Sequence, residues 1–167
     1  SLGAVIKAEA AETWDVDDAH ACATELQFFT QDDANTDALT APRMVIDADG
    51  LVGIGTLIPQ SGLNVQSGGT AGGILTLSLD DSTLATGNYL GQIQFSGTED
   101  ASTFDIGAEI RASVQADWTV GSDAGTNLSF WTNADDATEL TQRMVVYHNG
   151  NVGIGVAAPG AKFHSKG

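Results

Sequence analysis

The chain has 167 residues, and its 22 acidic side chains outnumber its 6 lysines and arginines to give a formal net charge of −16 at pH 7. A surface of this charge repels phosphate backbones and anionic lipid headgroups, which argues against a nucleic-acid partner and against binding to a membrane surface. The one cysteine, Cys22, excludes an intrachain disulfide framework, and no apolar run reaches the length of about 18 residues needed for membrane insertion.

Alternation of apolar and polar residues dominates the chain and predicts β-strands. Every even position of residues 104–118 is apolar, so this stretch predicts a long strand with one wet face and one buried face. Because no window has a helical period, we predict an all-β protein built from β-sandwich or β-hairpin units. In chain order, the predicted strands lie at residues 2–14, 44–46, 75–79, 93–95, 104–118, 128–130 and 144–146.

Two turns lie between apolar runs and predict β-hairpins. Asp49-Gly50 and Asn149-Gly150 are strong hairpin signals, because both central positions of a two-residue hairpin turn need positive φ. The strand after each turn is short and has the sequence Val-Gly-Ile-Gly, and glycine inside a strand indicates close approach by another backbone. A three-fold axis would provide such crowding, and oligomerisation would protect open strand edges. We therefore predict an intertwined, elongated homotrimer.

A thirteen-residue segment recurs, at residues 43–55 and 143–155, with eight identical positions. Weaker matches upstream have offsets of 102 and 104 residues, which predicts two small loop insertions in the first copy. Residues 1–60 are therefore predicted to be the back half of a repeat unit ending in a Gly-rich hairpin, and residues 61–167 one complete unit ending in the same hairpin. We expect the chain to be a piece of a longer repetitive protein. The repeated positions are Arg43, Gly50, Gly53, Gly55 and Pro59, with Arg143, Gly150, Gly153, Gly155 and Pro159.

This motif resembles a repeat of bacteriophage tail fibres and tailspikes, which commonly lies upstream of an endosialidase-type C-terminal intramolecular chaperone. The shared pattern is Arg-Met, a Gly turn, Val-Gly-Ile-Gly, a proline and an apolar-x-apolar pair, and residues 91–95, 106–110 and 128–130 extend it. Copy two departs from the pattern at Val156, where copy one keeps the usual Thr56. The resemblance implies a trimeric β-structured fibre on a virion tail, outside the cell, that reaches the host surface and folds with the chaperone.

Three side chains are candidate ligand contacts. Trp131 adjoins Phe130 and points to the opposite face of a regular strand, so it could stack on a sugar ring, with Tyr147 as a second contact; packing at a subunit contact is the alternative. Trp14 and Trp118 are in phase with the apolar face and are predicted to pack in the core. His164 could meet its copies on a three-fold axis and bind an ion.

Other motifs have plainer explanations. Asp47-x-Asp49 hints at a calcium loop, but a turn explains it equally. Gly153-x-Gly155 is not a dinucleotide fingerprint, because Pro159 prevents the helix that would bind pyrophosphate. With no nucleophile elbow, we predict no catalytic residues, no resident metal and no cofactor.

The predicted function is therefore structural and adhesive: a trimeric shaft or distal body of a phage tail fibre that presents or contributes to host-receptor binding. The expected partners are copies of the chain, a host surface glycan or protein receptor, and the chaperone during folding. Two alternatives stay open: a carbohydrate-binding module of the fibre, or a repeat of a cellular surface fibre, which would be located at the cell surface.

Overall fold

The computed structural model describes residues 3–11, 23–31, 41–98, 103–118, 124–135 and 139–167. Within these ranges the regular structure consists of strands, without a helix, which confirms the all-β prediction. The described residues accordingly contain no helix that is long and apolar enough to cross a membrane. The chain divides into two compact units, Ser1–Thr76 and Leu77–Gly167.

The first unit is one five-stranded sheet. Its strands follow the chain in order, and neighbours are antiparallel except for the last pair, which is parallel. They are β1 (Ala4–Ala10), β2 (Thr24–Thr30), β3 (Met44–Ile46), β4 (Val52–Ile54) and β5 (Leu63–Val65).

The second unit is one six-stranded sheet in which neighbours in sequence are again neighbours in space, with a parallel pair at the C-terminal end. Of the two predicted architectures, each unit therefore takes the hairpin form rather than the sandwich form in the described residues. The strands are β6 (Tyr89–Gly97), β7 (Asp105–Val114), β8 (Thr126–Thr132), β9 (Thr141–Val146), β10 (Val152–Ile154) and β11 (Phe163–Ser165).

The two copies of the sequence repeat have the same strand register. Ile6 pairs with Phe28 in the first sheet, as Ile110 pairs with Phe130 in the second, and the agreement continues strand by strand to the parallel pair. The predicted loop insertions fall in the β1–β2 and β2–β3 connections, where residues 12–22 and 32–40 lie outside the described residues. The first compact unit extends to Thr76 and includes β5, which pairs with β4 in the first sheet.

The prediction of a buried apolar face is wrong within one chain. The buried hydrophobic side chains of the described residues are Val45, Val114 and Val145, whereas large apolar side chains of the alternating strands stay exposed. The opposite face is the more buried one, since its long polar side chains fold over one another; Glu109 is 2% exposed and Ser129 is 3% exposed.

Two strand predictions are also wrong: one of the predicted strands is absent, and the other is shorter than predicted. Residues 75–79 form no strand, and Leu75, Leu77 and Leu79 are exposed. The alternating stretch ends as a strand at Val114, because the backbone N–H groups of Gly87 and Trp118 donate to the Val114 and Leu84 carbonyls, which ties residues 84–88 against the end of β7. Trp118 is therefore outside the strand, and Trp14, His20 and Cys22 lie outside the described residues.

Candidate functional site

The repeated hairpin has the same geometry in both copies. The Gly50 N–H donates to the Asp47 carbonyl over 3.0 Å, the Asp47 N–H donates to the Leu51 carbonyl over 3.0 Å, and Gly50 has φ +80°. The hairpins are thus confirmed, but each has a three-residue loop whose last residue is the left-handed glycine, rather than a two-residue turn. Gly150 repeats this with φ +79°.

Asp47 stabilises this loop through its carboxylate. Its Oδ1 accepts hydrogen bonds from the backbone N–H groups of Asp49, over 3.0 Å, and Leu51, over 2.8 Å. In the second copy, Asn149 Oδ1 accepts from the Asn151 N–H over 3.0 Å. A turn therefore accounts for the acidic motif, and the described residues contain no cluster of three potential metal ligands.

The glycines of the Val-Gly-Ile-Gly strands are crowded by backbone of the same chain. A Cβ on Gly53 would lie 2.5 Å from the Thr56 carbonyl oxygen, and one on Gly55 would lie 2.1 Å from that of Gln66. Gly153 and Gly155 repeat these contacts at 2.3 Å and 2.7 Å. Close approach at these glycines is thus confirmed, but the approaching backbone is the tight return into the parallel strand and gives no evidence for a three-fold axis.

The arginines and prolines of the repeated motif stabilise the chain reversal that leads into the parallel strand. The carbonyl oxygens of Arg43 and Arg143 accept from the N–H groups of Gly55 and Gly155, and both prolines are buried. The Pro159 carbonyl also accepts a hydrogen bond from Asn151 Nδ2 over 3.0 Å. The repeated residues are thus held by hydrogen bonds and close contacts within their own turn.

His164 has a structural counterpart in the first copy. Its Nδ1 accepts from the Gly160 N–H over 3.3 Å, as Asn64 Oδ1 accepts from the Gln60 N–H over 3.2 Å. Both side chains span the turn before the parallel strand, and His164 is exposed.

We expect His164→Asn to change the free energy of unfolding by less than about 0.5 kcal/mol, because asparagine performs this role at position 64. His164→Leu, which removes the acceptor, should be the less stable variant. Chemical denaturation of the three proteins at one protein concentration measures both differences. A loss for His164→Asn as large as that for His164→Leu would contradict the shared capping role.

A stacked arginine forms the polar cluster on the second sheet. The Arg111 guanidinium carbon lies 4.1 Å from the ring centre of Tyr89 and 4.5 Å from that of Trp131, distances typical of cation–π contacts. Arg111 Nη1 donates to the Tyr89 hydroxyl over 2.9 Å, and Trp131 Nε1 donates to Ser129 Oγ over 2.7 Å. The register places Arg111 directly opposite Ser129, so adjacent strands hold the whole stack on one face.

Glu109 is the buried base of this stack. Arg111 Nε donates to its Oε1, and Gln94 and Gln92 donate to its Oε2 over 3.1 Å and 3.3 Å. Burial raises the pKa of the Glu109 carboxyl, but these hydrogen bonds and the charge of Arg111 together lower it below its ordinary value. The Glu109 carboxylate thereby neutralises the charge of Arg111. Among the described residues of this unit, the polar side chains of this face hydrogen-bond one another without a second sheet packed over them.

The candidate site residues predicted from the sequence do not include Glu109, Arg111 or Tyr89. The available signals were that Arg111 is the one basic side chain between residues 51 and 142 and that Glu109 shares its strand face. Tyr89 could not have been paired with them, because a register shift separates it from the regular part of β6.

The two predicted ligand contacts do not share one site. Trp131 pairs with Gln142 near the start of β9, while Tyr147 follows the end of that strand. Five residues of strand separate those levels by about 17 Å. Tyr147 instead packs against His148, with ring centres 4.6 Å apart.

Solved structures similar to this chain include two of the same tail fibre. The carboxy-terminal domain of the bacteriophage T5 L-shaped tail fibre is 13% identical with a TM-score of 0.48, over 93% of this chain and 80% of that chain. The same domain with its intramolecular chaperone domain is 14% identical with a TM-score of 0.46, over 93% of this chain and 55% of that chain, about half its length. No family model matches this chain, nor does any curated protein. These likenesses concern the backbone and assign no residue a role.

Proposed function

We propose that this chain is a structural and adhesive segment of a phage tail fibre, forming part of a trimeric shaft or distal body on the virion tail. The observation that carries the proposal is the repetition of one β-unit with the same register in every strand pair and the same hairpin at its end. Units of this kind are suited to serial addition along a fibre. The residues that carry the tail-fibre resemblance are the ones with structural roles in both units.

The proposal assigns no catalysis to this segment. Among the described residues, the carboxyl groups whose pKa is clearly shifted are those of Glu109 and Asp117, and both are held by hydrogen bonds within the same unit. Hydrogen bonds from the Thr86 N–H and hydroxyl, over 2.8 Å and 3.0 Å, lower the pKa of Asp117. Both lowered pKa values keep the carboxylates ionised, as expected for structural acceptors.

Immunogold electron microscopy tests the location of the protein. Antibodies raised against the purified chain should label the tails of virions from the phage whose genome encodes it. Labelling confined to the surface of uninfected cells would contradict the proposal and favour the cellular surface-fibre alternative.

A second candidate function is glycan binding at the Tyr89–Arg111–Trp131 stack. The observation that favours it is a rigid aromatic and guanidinium platform on which Tyr89 remains 47% exposed. Binding on a glycan array should then be lost for Trp131→Ala and kept for Tyr147→Ala, which lies at the far end of β9. Equal signals for wild type and Trp131→Ala would exclude this candidate.

A further inference from the structure

We infer that each chain packs on a second copy of itself through the exposed apolar face of its sheets, and that the stacked-arginine face points away from that contact. The inference rests on the proposed trimeric fibre and identifies which surface holds the copies together. Here "apolar face" means the side chains of two cross-strand rows in each unit, defined below.

In the second unit, both rows run across the whole sheet without a charged residue. Consecutive members are opposite one another in neighbouring strands, so they share one face. The first row is Ile93, Ile110, Phe130, Met144, Ile154 and Ser165, and the second is Gly91, Ala112, Leu128, Val146, Val152 and Phe163.

The first unit has the same two rows in the same order. Each unit therefore presents the same uncharged face, and around a three-fold axis the equivalent faces of three copies can pack on one another in a closed ring of contacts. Its rows are Ile6, Phe28, Met44, Ile54 and Val65, and Ala8, Leu26, Ile46, Val52 and Leu63.

The described residues leave these rows open. Leu77 reaches the face at Gly91, where an added Cβ would lie 2.6 Å from the Leu77 Cβ, but Ile93 is 46% exposed, and Phe95, two residues further along the same face and opposite Ala108, is 54% exposed. Leu128 is 42% exposed, Ile154 44% and Phe163 64%. Together these five side chains present roughly 450 Å² of apolar surface, more than half of the ~800 Å² that each partner contributes to a standard interface.

The charge distribution permits a second copy at this face and opposes one elsewhere on the surface. Two chains that each carry −16 repel one another, and they can approach closely where neither presents a charged group. The uncharged rows are such a surface, while the opposite face of the second sheet is already closed by the Glu109–Arg111 pair and its stacked rings. Association through the apolar rows therefore buries the open face and leaves the satisfied face in water.

His164 lies on the stacked-arginine face of the second sheet. It pairs with Gly153, which pairs with Val145, and Val145 is opposite Ser129, so His164 belongs to the row of Arg111. That row lies on the face pointing away from the other copies. His164 is therefore not placed to meet its copies on an axis through the apolar face.

The test introduces like charges on either face of the same sheet. Leu128→Glu places a carboxylate in the apolar rows, and Ser113→Glu places one on the opposite face, where Glu9 stands at the equivalent position of the first unit. Light scattering should give the assembled mass for wild type and Ser113→Glu, and a lower mass for Leu128→Glu. Co-refolding Leu128→Glu with Leu128→Lys should raise the assembled fraction above that of either variant alone, because mixed assemblies contain opposite charges at the interface.

The outcomes separate the inference from the function on which it rests. A wild-type chain that is monomeric at micromolar concentration overturns the trimer and the inference together. An assembled wild type with a Leu128→Glu variant of unchanged mass and native circular dichroism overturns the surface assignment alone. If Leu128→Glu does not fold, Leu128→Thr provides the test: its Tm should rise with protein concentration and stay below that of wild type, and a Tm equal to wild type at every concentration contradicts the assignment.

Discussion

Glu109→Val should lower the free energy of unfolding by about 3–5 kcal/mol, because it leaves the largely buried Arg111 charge without its counterion. The Arg111 side chain is 13% exposed, and its Nε donates to the carboxylate that the substitution removes. Gln92 and Gln94 lose an acceptor at the same time. Chemical denaturation at a fixed protein concentration measures the loss, since assembly makes stability depend on concentration.

The first unit supplies a matched rescue for this variant. At the positions equivalent to Glu109, Arg111 and Ser113 it has Val5, Lys7 and Glu9, and Lys7 Nζ lies 2.8 Å from Glu9 Oε1 with both side chains largely in solvent. The triple variant Glu109→Val, Arg111→Lys, Ser113→Glu should therefore recover most of the lost stability. A triple variant no more stable than Glu109→Val, or a Glu109→Val variant as stable as wild type, would contradict a structural role for the ion pair.

The same pair gives stability a defined dependence on pH. The folded pKa of Glu109 lies below its unfolded value of about 4.3, so the unfolded chain binds the proton first as pH falls. The stabilisation is complete above the unfolded pKa and is lost as pH falls through the folded one. Glu109→Gln should remove this contribution, so that its stability falls less than that of wild type below about pH 4.3.

The long alternation over residues 104–118 predicted β7, and the short runs at 128–130 and 144–146 lie inside β8 and β9. In the first unit, the runs at 2–14 and 44–46 contain β1 and β3. The stretch 75–79 has the same alternation yet forms no strand. Alternation indicates which side chains would share one face of a strand. A strand also needs a neighbouring strand for its backbone hydrogen bonds, and this segment pairs with none among the described residues of its chain.

Which face is buried could not be predicted from alternation. The pattern assumes that apolar side chains find cover within one chain, whereas here the closed face is built by Arg111 stacking between Tyr89 and Trp131 over Glu109. Those residues come from three strands, and the register shift near Tyr89 is not visible in composition. The two hairpins were easier to predict, because Gly50 and Gly150 satisfy a local backbone requirement, the positive φ of the turn.

Gly55→Ala should be the most costly substitution among the glycines of the repeated motif, lowering the free energy of unfolding by at least about 2 kcal/mol. Gly55 has φ +75°, and its new Cβ would lie 2.1 Å from the Gln66 carbonyl oxygen. The parallel strand would have to move, which strains the Gln66 N–H bond to the Ile54 carbonyl. Gly155→Ala should cost less, because its Cβ would lie 2.7 Å from the Lys166 oxygen.

Gly62→Ala is the matched control for these substitutions. Its Cβ would meet no atom within 4 Å, and the second unit has Lys162 at this position, so the backbone there accepts a side chain. It should unfold within about 0.5 kcal/mol of wild type, since neither strain nor a clash opposes it. If Gly55→Ala were as stable as Gly62→Ala, the tight return could not be what the repeated glycines are for, and crowding from another copy would again be their best explanation.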